Sequence, residues 1–166
     1  LPFADRSIYY DTFPFLKESR LKIFSSGRGC YYNCTFCFNH SIRKLYHKKG
    51  TYVRKVSVDY LINEIKKAKQ EYPMKTISFN DDTFIFDKPW LKEFSQKYRK
   101  EINIPFVCNV RGNLADEDTI KSLKKANCYA VGMGIETGNN HLRNVILKKG
   151  VTNKQILETG KLVKKY

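Results

Sequence analysis

The feature that most constrains this 166-residue chain is an alternation: four short apolar segments, each followed by a stretch of helical periodicity. Residues 21–26, 75–80, 105–110 and 129–135 read as strands. Ser57 caps a helix whose Val58, Leu61, Ile62, Ile65 and Ala68 recur at three- and four-residue spacing. Asp87 with Pro89 opens a second helix that turns Trp90, Leu91, Phe94 and Tyr98 inward. Asp116, Glu117 and Asp118 begin a third and Lys121, Lys124 and Lys125 end it, in keeping with the helix dipole. Asn127 is the expected left-handed stop. Thr152 with Gln155 forms a capping box for a last helix running to about Tyr166. Residues 41–55 are basic and read as irregular, and 139–151 as a loop or short helix.

Strands joined through helices run parallel, because the crossover takes a dozen or more residues. Four such βα units make either an open doubly wound sheet or part of a (β/α) barrel. Both architectures bind ligands at the carboxyl ends of their strands. Here those ends are the cysteine-rich loop 27–39, Asn80-Asp81-Asp82, Asn109 to Arg111, and Gly134 to Gly138; all are polar. No nucleotide-binding G-x-G-x-x-G or Walker loop follows a strand, and GMGIETG begins inside one, in the wrong register.

The length fits one domain or a large piece of one. An aromatic content of 14% supplies too much to bury for a disordered tail. No run approaches the roughly 18–20 apolar residues of a membrane span. Residues 1–10 lack the basic start, apolar block and cleavage site of a signal peptide, so the expected location is the cytoplasm. Residues 1–20 are irregular and aromatic, a lead-in that packs on something. With no initiator Met and an end inside a helix, the chain reads as a fragment of a longer protein.

The net charge is +15, from 31 Lys+Arg against 16 Asp+Glu. Such a balance favours polyanionic partners. The lysines are spread over every helix, however, and the reading preferred is a set of solvated faces. A nucleic-acid partner is open but not favoured, and no membrane partner is expected.

There are five cysteines, and three of them form Cys30-x3-Cys34-x2-Cys37. Clustered thiols in a chain without an export signal indicate a metal or cluster site in a reducing compartment. Structural zinc takes four protein ligands, and an iron–sulfur cubane is usually held by four thiolates. Only three are local here. The fourth position comes from elsewhere, with Cys108 the remote candidate, or stays open for a small molecule, as reactive metal sites do. Cys108 and Cys128 otherwise read as buried packing residues; His40, His47 and His141 read as ordinary loop residues.

The segment SSGRGCYYNCTFCFN, with an aromatic just before its last cysteine, resembles the cluster loop of the radical S-adenosylmethionine (radical SAM) superfamily. SFNDDTF after the second strand, VGMGIETGN after the fourth and LKKGVTNKQI before the last helix match in the same order. Together with LPFADRSIYY they are similar to the subgroup whose longer members carry a cobalamin-binding domain before the barrel. Tyr31 stands where the family often has proline, which removes no ligand.

The resemblance implies a partial (β/α) barrel of the radical SAM type, with about four of the family's six βα units and parallel strands. Residues 1–20 would be a linker from an upstream domain. Residues 21–166 would be the N-terminal part of the core, with its C-terminal units lying outside the chain. The fourth strand would then be an exposed edge of an open partial barrel.

For the site, the resemblance implies that Cys30, Cys34 and Cys37 hold a [4Fe–4S] cluster. S-adenosylmethionine would chelate the open iron and be reductively cleaved to methionine and a 5′-deoxyadenosyl radical. Phe36 would pack by the adenine. Asp81 and Asp82, at the strand end where the family more usually has Gly-Gly-Glu, would accept from the ligand's ammonium; carboxylates suit this as charge-assisted acceptors. Glu136 would hold the ribose diol, and Arg111 would pair with the methionine carboxylate. Asn39 and Arg28 are weaker candidates.

The chemistry implied is methyl transfer to an unreactive carbon, with cobalamin supplied by a domain outside this chain. Oxidative cyclisation and tRNA methylthiolation are alternatives, and only the last uses the charge. An electron donor such as a flavodoxin or ferredoxin is the expected partner; the substrate, small or macromolecular, is not legible. Outside the family, a non-catalytic zinc-binding nucleic-acid module would explain the charge and thiols but not four polar strand ends. A structural or electron-transfer iron–sulfur domain would need a fourth thiolate.

Overall fold

The computed structural model describes residues 2–166. In chain order the elements are α1 (Ser7–Tyr10), α2 (Pro14–Glu18), β1 (Leu21–Phe24), β2 (Gly27–Arg28), α3 (Asn39–Leu45), β3 (Arg54–Lys55), α4 (Val58–Glu71), β4 (Thr76–Phe79), α5 (Lys88–Glu101), β5 (Phe106–Val110), α6 (Glu117–Lys125), β6 (Cys128–Met133), a π-helical turn (Leu142–Ile146) and α7 (Asn153–Lys165). β1, β4, β5 and β6 form one parallel sheet in that order. Each crossover contains a helix, as parallel pairing requires. The four strands lie where the apolar segments place them, trimmed by one or two residues at most ends.

Local signals set the helix ends. Ser57, Asp87, Asp116 and Thr152 each accept a backbone N–H of the first turn, and Thr152 with Gln155 completes the capping box. Asn127 stops α6 at φ 72°, the left-handed region an asparagine tolerates. Two segments differ from the sequence reading. Residues 39–45 are helical, and 54–55 pair antiparallel with 27–28 as a small hairpin. The hairpin brings residues far apart in sequence together, so no local periodicity announces it. Residues 7–10 and 14–18 form single helical turns within the lead-in.

One face of the sheet is buried against α4, α5 and α6. Phe24, Ile77, Phe79, Phe106, Cys108 and Val110 point into this core. At its centre Phe79 packs against Phe84, Phe94, Tyr98 and Phe106 with ring centroids 4.8–6.2 Å apart. Most of these pairs are edge-to-face, the geometry that aromatic quadrupoles favour. The polar ends are satisfied: Tyr98 donates to the Ile104 carbonyl at 2.7 Å and Trp90 Nε1 to the Val56 carbonyl at 2.8 Å.

The other face is open. Leu21 and Ile23 are 48% and 55% exposed, and Asn109 and Gly132 lie on the same face. Parallel sheets normally have both faces covered. Four parallel strands with one covered face, no barrel closed among the described residues, and β6 at an edge make the open partial barrel expected from the sequence. No helix among the described residues is long and apolar enough to cross a membrane.

The cysteine loop leaves the sheet at β1 and is fastened at its neck. Asp81, at the end of β4, accepts from the Ser26 backbone N–H at 2.7 Å and from the Ser26 hydroxyl. Lys55, on the other arm of the hairpin, donates to Ser26 Oγ at 2.7 Å and pairs with Asp81 at 3.3 Å. Its ammonium also lies 3.9 Å from the Trp90 ring centroid and 4.7 Å from that of Phe84. Burial pushes the Lys55 ammonium below the ordinary lysine range, against the pull of Asp81.

Two expected outcomes follow from this packing. Phe79→Ala should lower the unfolding free energy by about 3–5 kcal/mol, read by denaturant titration, because the ring is the hub of the aromatic core. Lys55→Met leaves the buried Asp81 charge unpaired and should cost about 3–5 kcal/mol. Adding Asp81→Asn should recover part of that loss, so a double-mutant cycle in which the two costs simply add would refute the ion-pair account.

Candidate active site

The cysteine loop is organised by groups from every neighbouring segment. Arg43 of α3 donates to the Cys30 carbonyl at 2.5 Å, the Tyr32 carbonyl at 3.1 Å and Asn33 Oδ1 at 2.8 Å. The Thr35 backbone N–H donates to the Leu147 carbonyl and its hydroxyl to the Ile146 carbonyl, both at 3.0 Å. Gly29 sits at φ 81°, where a Cβ would stand 2.7 Å from the Tyr52 carbonyl; only glycine fits this turn. The loop therefore presents its thiols from a braced frame.

Each of the three sulfurs has a polar neighbour of its own. Cys30 Sγ lies 4.0 Å from the Thr83 hydroxyl, Cys34 Sγ accepts from Arg111 Nη1 at 3.7 Å, and Cys37 Sγ accepts from Asn39 Nδ2 at 3.5 Å. All three cysteines are free thiols; Cys34 is buried and the other two are half-buried. Among the described residues no three His, Cys, Asp or Glu side chains converge on a point that would hold a single metal ion. A cluster binds each thiolate to a different iron and needs thiols arranged around a body rather than on a point. The donor set, three clustered thiols of which Cys34 and Cys37 accept from side-chain N–H groups, suits a cluster.

The acids at the end of β4 have different situations. Asp81 is 3% exposed and its oxygens are engaged by Ser26 and Lys55, so it serves the fold rather than facing a ligand. Asp82 is exposed and accepts from Asn39 Nδ2 at 2.8 Å. Asn39 also accepts from the Tyr52 hydroxyl, so a buried asparagine links the loop to the strand end. Arg28 lies in β2, in the hairpin at the loop's neck.

Arg111, just past β5, is 7% exposed and stacks on Tyr32 with its guanidinium carbon 3.5 Å from the ring centroid. Its Nε and Nη2 have no hydrogen-bond partner. The surface salt bridge that would be the ordinary use of an arginine here is absent among the described residues.

Past β6 the chain turns sharply at Glu136, a non-glycine residue at φ 65°. Such a backbone costs about 1–3 kcal/mol and persists where surrounding contacts enforce it. Lys149 supplies the contact: its ammonium donates to Glu136 Oε1 at 2.6 Å and lies 5.6 Å from the Phe36 ring centroid. Gly134 leaves the room, since a Cβ there would be 2.5 Å from Glu136 Oε1 and 2.9 Å from Lys149 Nζ. Phe36 is 52% exposed beside this pair.

The excursion from Thr137 to Asn153 is built around Arg143, which has no exposed surface. It donates to the Val151 carbonyl at 2.7 Å, the Thr137 carbonyl at 2.5 Å, and the Asn140 and Asn153 side chains. The sequence reading singled out neither Arg143 nor Lys149. Both look like solvated loop cations, and only the closed path of the loop buries them. His40 and His47 line a pocket with Asn33, Arg43 and Lys44.

The structure thus gathers Cys30, Cys34, Cys37, Phe36, Asp82, Arg111 and Glu136 at the carboxyl end of one parallel sheet, and withdraws Asp81 into its support. Residues 24–166 match the Radical SAM superfamily. An uncharacterised methyltransferase of Pyrococcus horikoshii is 31% identical over 142 residues, 85% of this chain and 29% of that protein. A cytidylyl-2-hydroxyethylphosphonate methyltransferase of Streptomyces wedmorensis is 25% identical over 138 residues, 82% of this chain and 24% of that protein. The chain thus spans less than a third of the length of these two relatives.

Among solved structures, the radical S-adenosylmethionine methyltransferase TsrM of Kitasatospora setae, with tryptophan and a SAM analogue bound, superposes with a TM-score of 0.71. It is 17% identical and covers 98% of this chain and 30% of its own. Coproporphyrinogen III oxidase of Escherichia coli superposes with a TM-score of 0.65 at 11% identity, covering 98% of this chain and 38% of its own. With a family match across nearly its whole length and the family's sheet beneath a three-thiol loop, the chain belongs to the radical SAM superfamily.

Proposed function

We propose that the protein containing this chain is a radical SAM methyltransferase, acting on an unreactive carbon with cobalamin bound by a segment outside residues 1–166. The observation that carries the cofactor reading is the trio of free thiols, each with its own polar neighbour, beside a buried arginine with two unpartnered nitrogens. Methyl transfer is supported by the relatives named as methyltransferases and by the likeness to TsrM, a structure of which has been solved with cobalamin and a [4Fe–4S] cluster.

Cys30, Cys34 and Cys37 would hold a [4Fe–4S] cluster, which, once reduced by an external donor, would supply the electron for cleaving S-adenosylmethionine. The rest of the work belongs to side chains. Asp82, exposed beside the loop, accepts from the ligand's ammonium; Asp81 holds the loop's neck in place for it. The unpartnered Nε and Nη2 of Arg111 would take the methionine carboxylate, which two-point guanidinium geometry suits. Glu136, held in its turn by Lys149, accepts from the ribose hydroxyls, and Phe36 offers a ring to the adenine. The open sheet face, with Leu21, Ile23, Ser78 and Asn109, is where a substrate would meet the radical, screened from water once the remaining units cover it.

Electron paramagnetic resonance on anaerobically reconstituted, reduced protein tests the reading. A [4Fe–4S]⁺ signal that changes on adding S-adenosylmethionine supports an open iron occupied by the ligand. A signal indifferent to it, or a colourless protein binding about one zinc, sinks the proposal. Replacing any one of Cys30, Cys34 or Cys37 by Ala should abolish that signal. Gly134→Ala should loosen the Glu136–Lys149 pair and weaken S-adenosylmethionine binding about tenfold, ~1.4 kcal/mol, in an equilibrium titration, with the circular dichroism spectrum unchanged.

A further inference from the structure

Arg111 has two faces, and the role proposed above uses only one. Its Nη1 donates to Cys34 Sγ at 3.7 Å, the guanidinium lies flat on Tyr32 at 3.5 Å, and Nε and Nη2 are left without partners. Tyr32 is itself fixed, since its hydroxyl accepts from Asn113 Nδ2 at 3.0 Å and its carbonyl accepts from Arg43 at 3.1 Å. The cation is 7% exposed. Burying a guanidinium without a counter-charge is strongly unfavourable. Two of the chain's other buried cations meet acids, Lys55 with Asp81 and Lys149 with Glu136, and two, Lys22 and Arg143, give their N–H groups to backbone carbonyls, Arg143 also to asparagine side chains. Arg111 meets a sulfur and an aromatic face instead. The missing negative charge is the one that would sit on the thiolates and the group they hold.

From this placement we infer that Arg111 is the resident counter-cation of the cluster and sets its reduction potential through Cys34, an assignment that rests on the cluster reading above. One-electron reduction takes the cluster from [4Fe–4S]²⁺ to [4Fe–4S]⁺ with no proton required, the electron coming from an external one-electron donor. The reduced form carries one more negative charge. A fixed positive charge hydrogen-bonded to a ligating sulfur stabilises that form over the oxidised one, because charge and hydrogen bonds at the sulfurs are what tune such clusters. Low exposure keeps water from screening the interaction. The Tyr32 stack holds the guanidinium at the sulfur, so Arg111 acts here as a positioning residue and does not react.

The test is a redox titration of the reconstituted full-length protein without S-adenosylmethionine, using dithionite as reductant and the electron paramagnetic resonance amplitude of the reduced cluster as readout. Iron and sulfide analysis serves as the loading control. Arg111→Gln should make the cluster at least tenfold harder to reduce, about 59 mV for a one-electron couple. Arg111→Lys keeps the charge but not the planar stack, and its midpoint should fall between the two. Tyr32→Leu keeps the guanidinium but removes its platform, and should shift the midpoint in the same direction by less.

If Arg111→Gln takes up no iron, the Lys and Tyr32 variants decide: a shift in that direction supports the assignment and wild-type midpoints overturn it. A loaded Arg111→Gln protein with the wild-type midpoint and weakened S-adenosylmethionine binding would make Arg111 a carboxylate ligand alone and overturn the inference while the functional reading stands. A wild-type protein that assembles no cluster would remove the functional reading itself, and this assignment with it.

Discussion

The geometry of the site depends on a buried carboxylate. Asp81 stands where β1, β4 and the small hairpin meet, and it accepts from both the backbone and the hydroxyl of Ser26 while pairing with Lys55. These contacts join the two arms of the hairpin to the sheet at the point where the cysteine loop begins and ends. A loop of this length, anchored only through its own backbone, would sample many arrangements, and ordering each residue is entropically costly. Closing it at the neck, and bracing it inside with Arg43 and outside with the Leu147 carbonyl, restricts where the thiols can be. Lys55 adds a link to the core, because the rings that flank its ammonium belong to the same aromatic cluster that supports the sheet.

A division of labour among charged groups follows. The pairs Lys55–Asp81 and Lys149–Glu136 are internally neutral and hold backbone in place, the second at a turn with an unfavourable φ. Arg143 neutralises nothing and instead gathers carbonyls and amide side chains into a closed excursion. Arg111 is left as a buried cation without a carboxylate, beside a thiol. Most of the chain's other lysines lie on exposed helix faces, some in surface pairs such as Lys66–Glu101 and Lys97–Asp59, which contribute little. The net charge therefore says less about function than one arginine does.

The fold was largely legible because its signals are local. Val58 to Ala68 and Trp90 to Tyr98 repeat with helical period, and Ser57, Asp87, Asp116 and Thr152 cap the helices they precede. Chirality and connection length then leave few ways to arrange four βα units. The thiol trio was legible for the same reason: three cysteines in eight positions are local. What escaped was set by contacts distant in sequence. The hairpin pairs residues 27–28 with 54–55, and Arg143 and Lys149 are buried only by the path of their own loop. The two adjacent acids after β4 read as equivalent, yet one turns inward to Ser26 and Lys55 and the other outward to Asn39.

The sequence by itself thus determined the order of strands and helices, the parallel sheet with its polar carboxyl ends, and the three cysteines that a cluster would use. Those follow from periodicity, capping and spacing, which act over a few residues. Only the tertiary structure decided which charged groups are committed to the fold and which face the thiols. That outcome rests on the balance between desolvation and pairing, and whether a charge is paired depends on what the fold brings within about 4 Å of it.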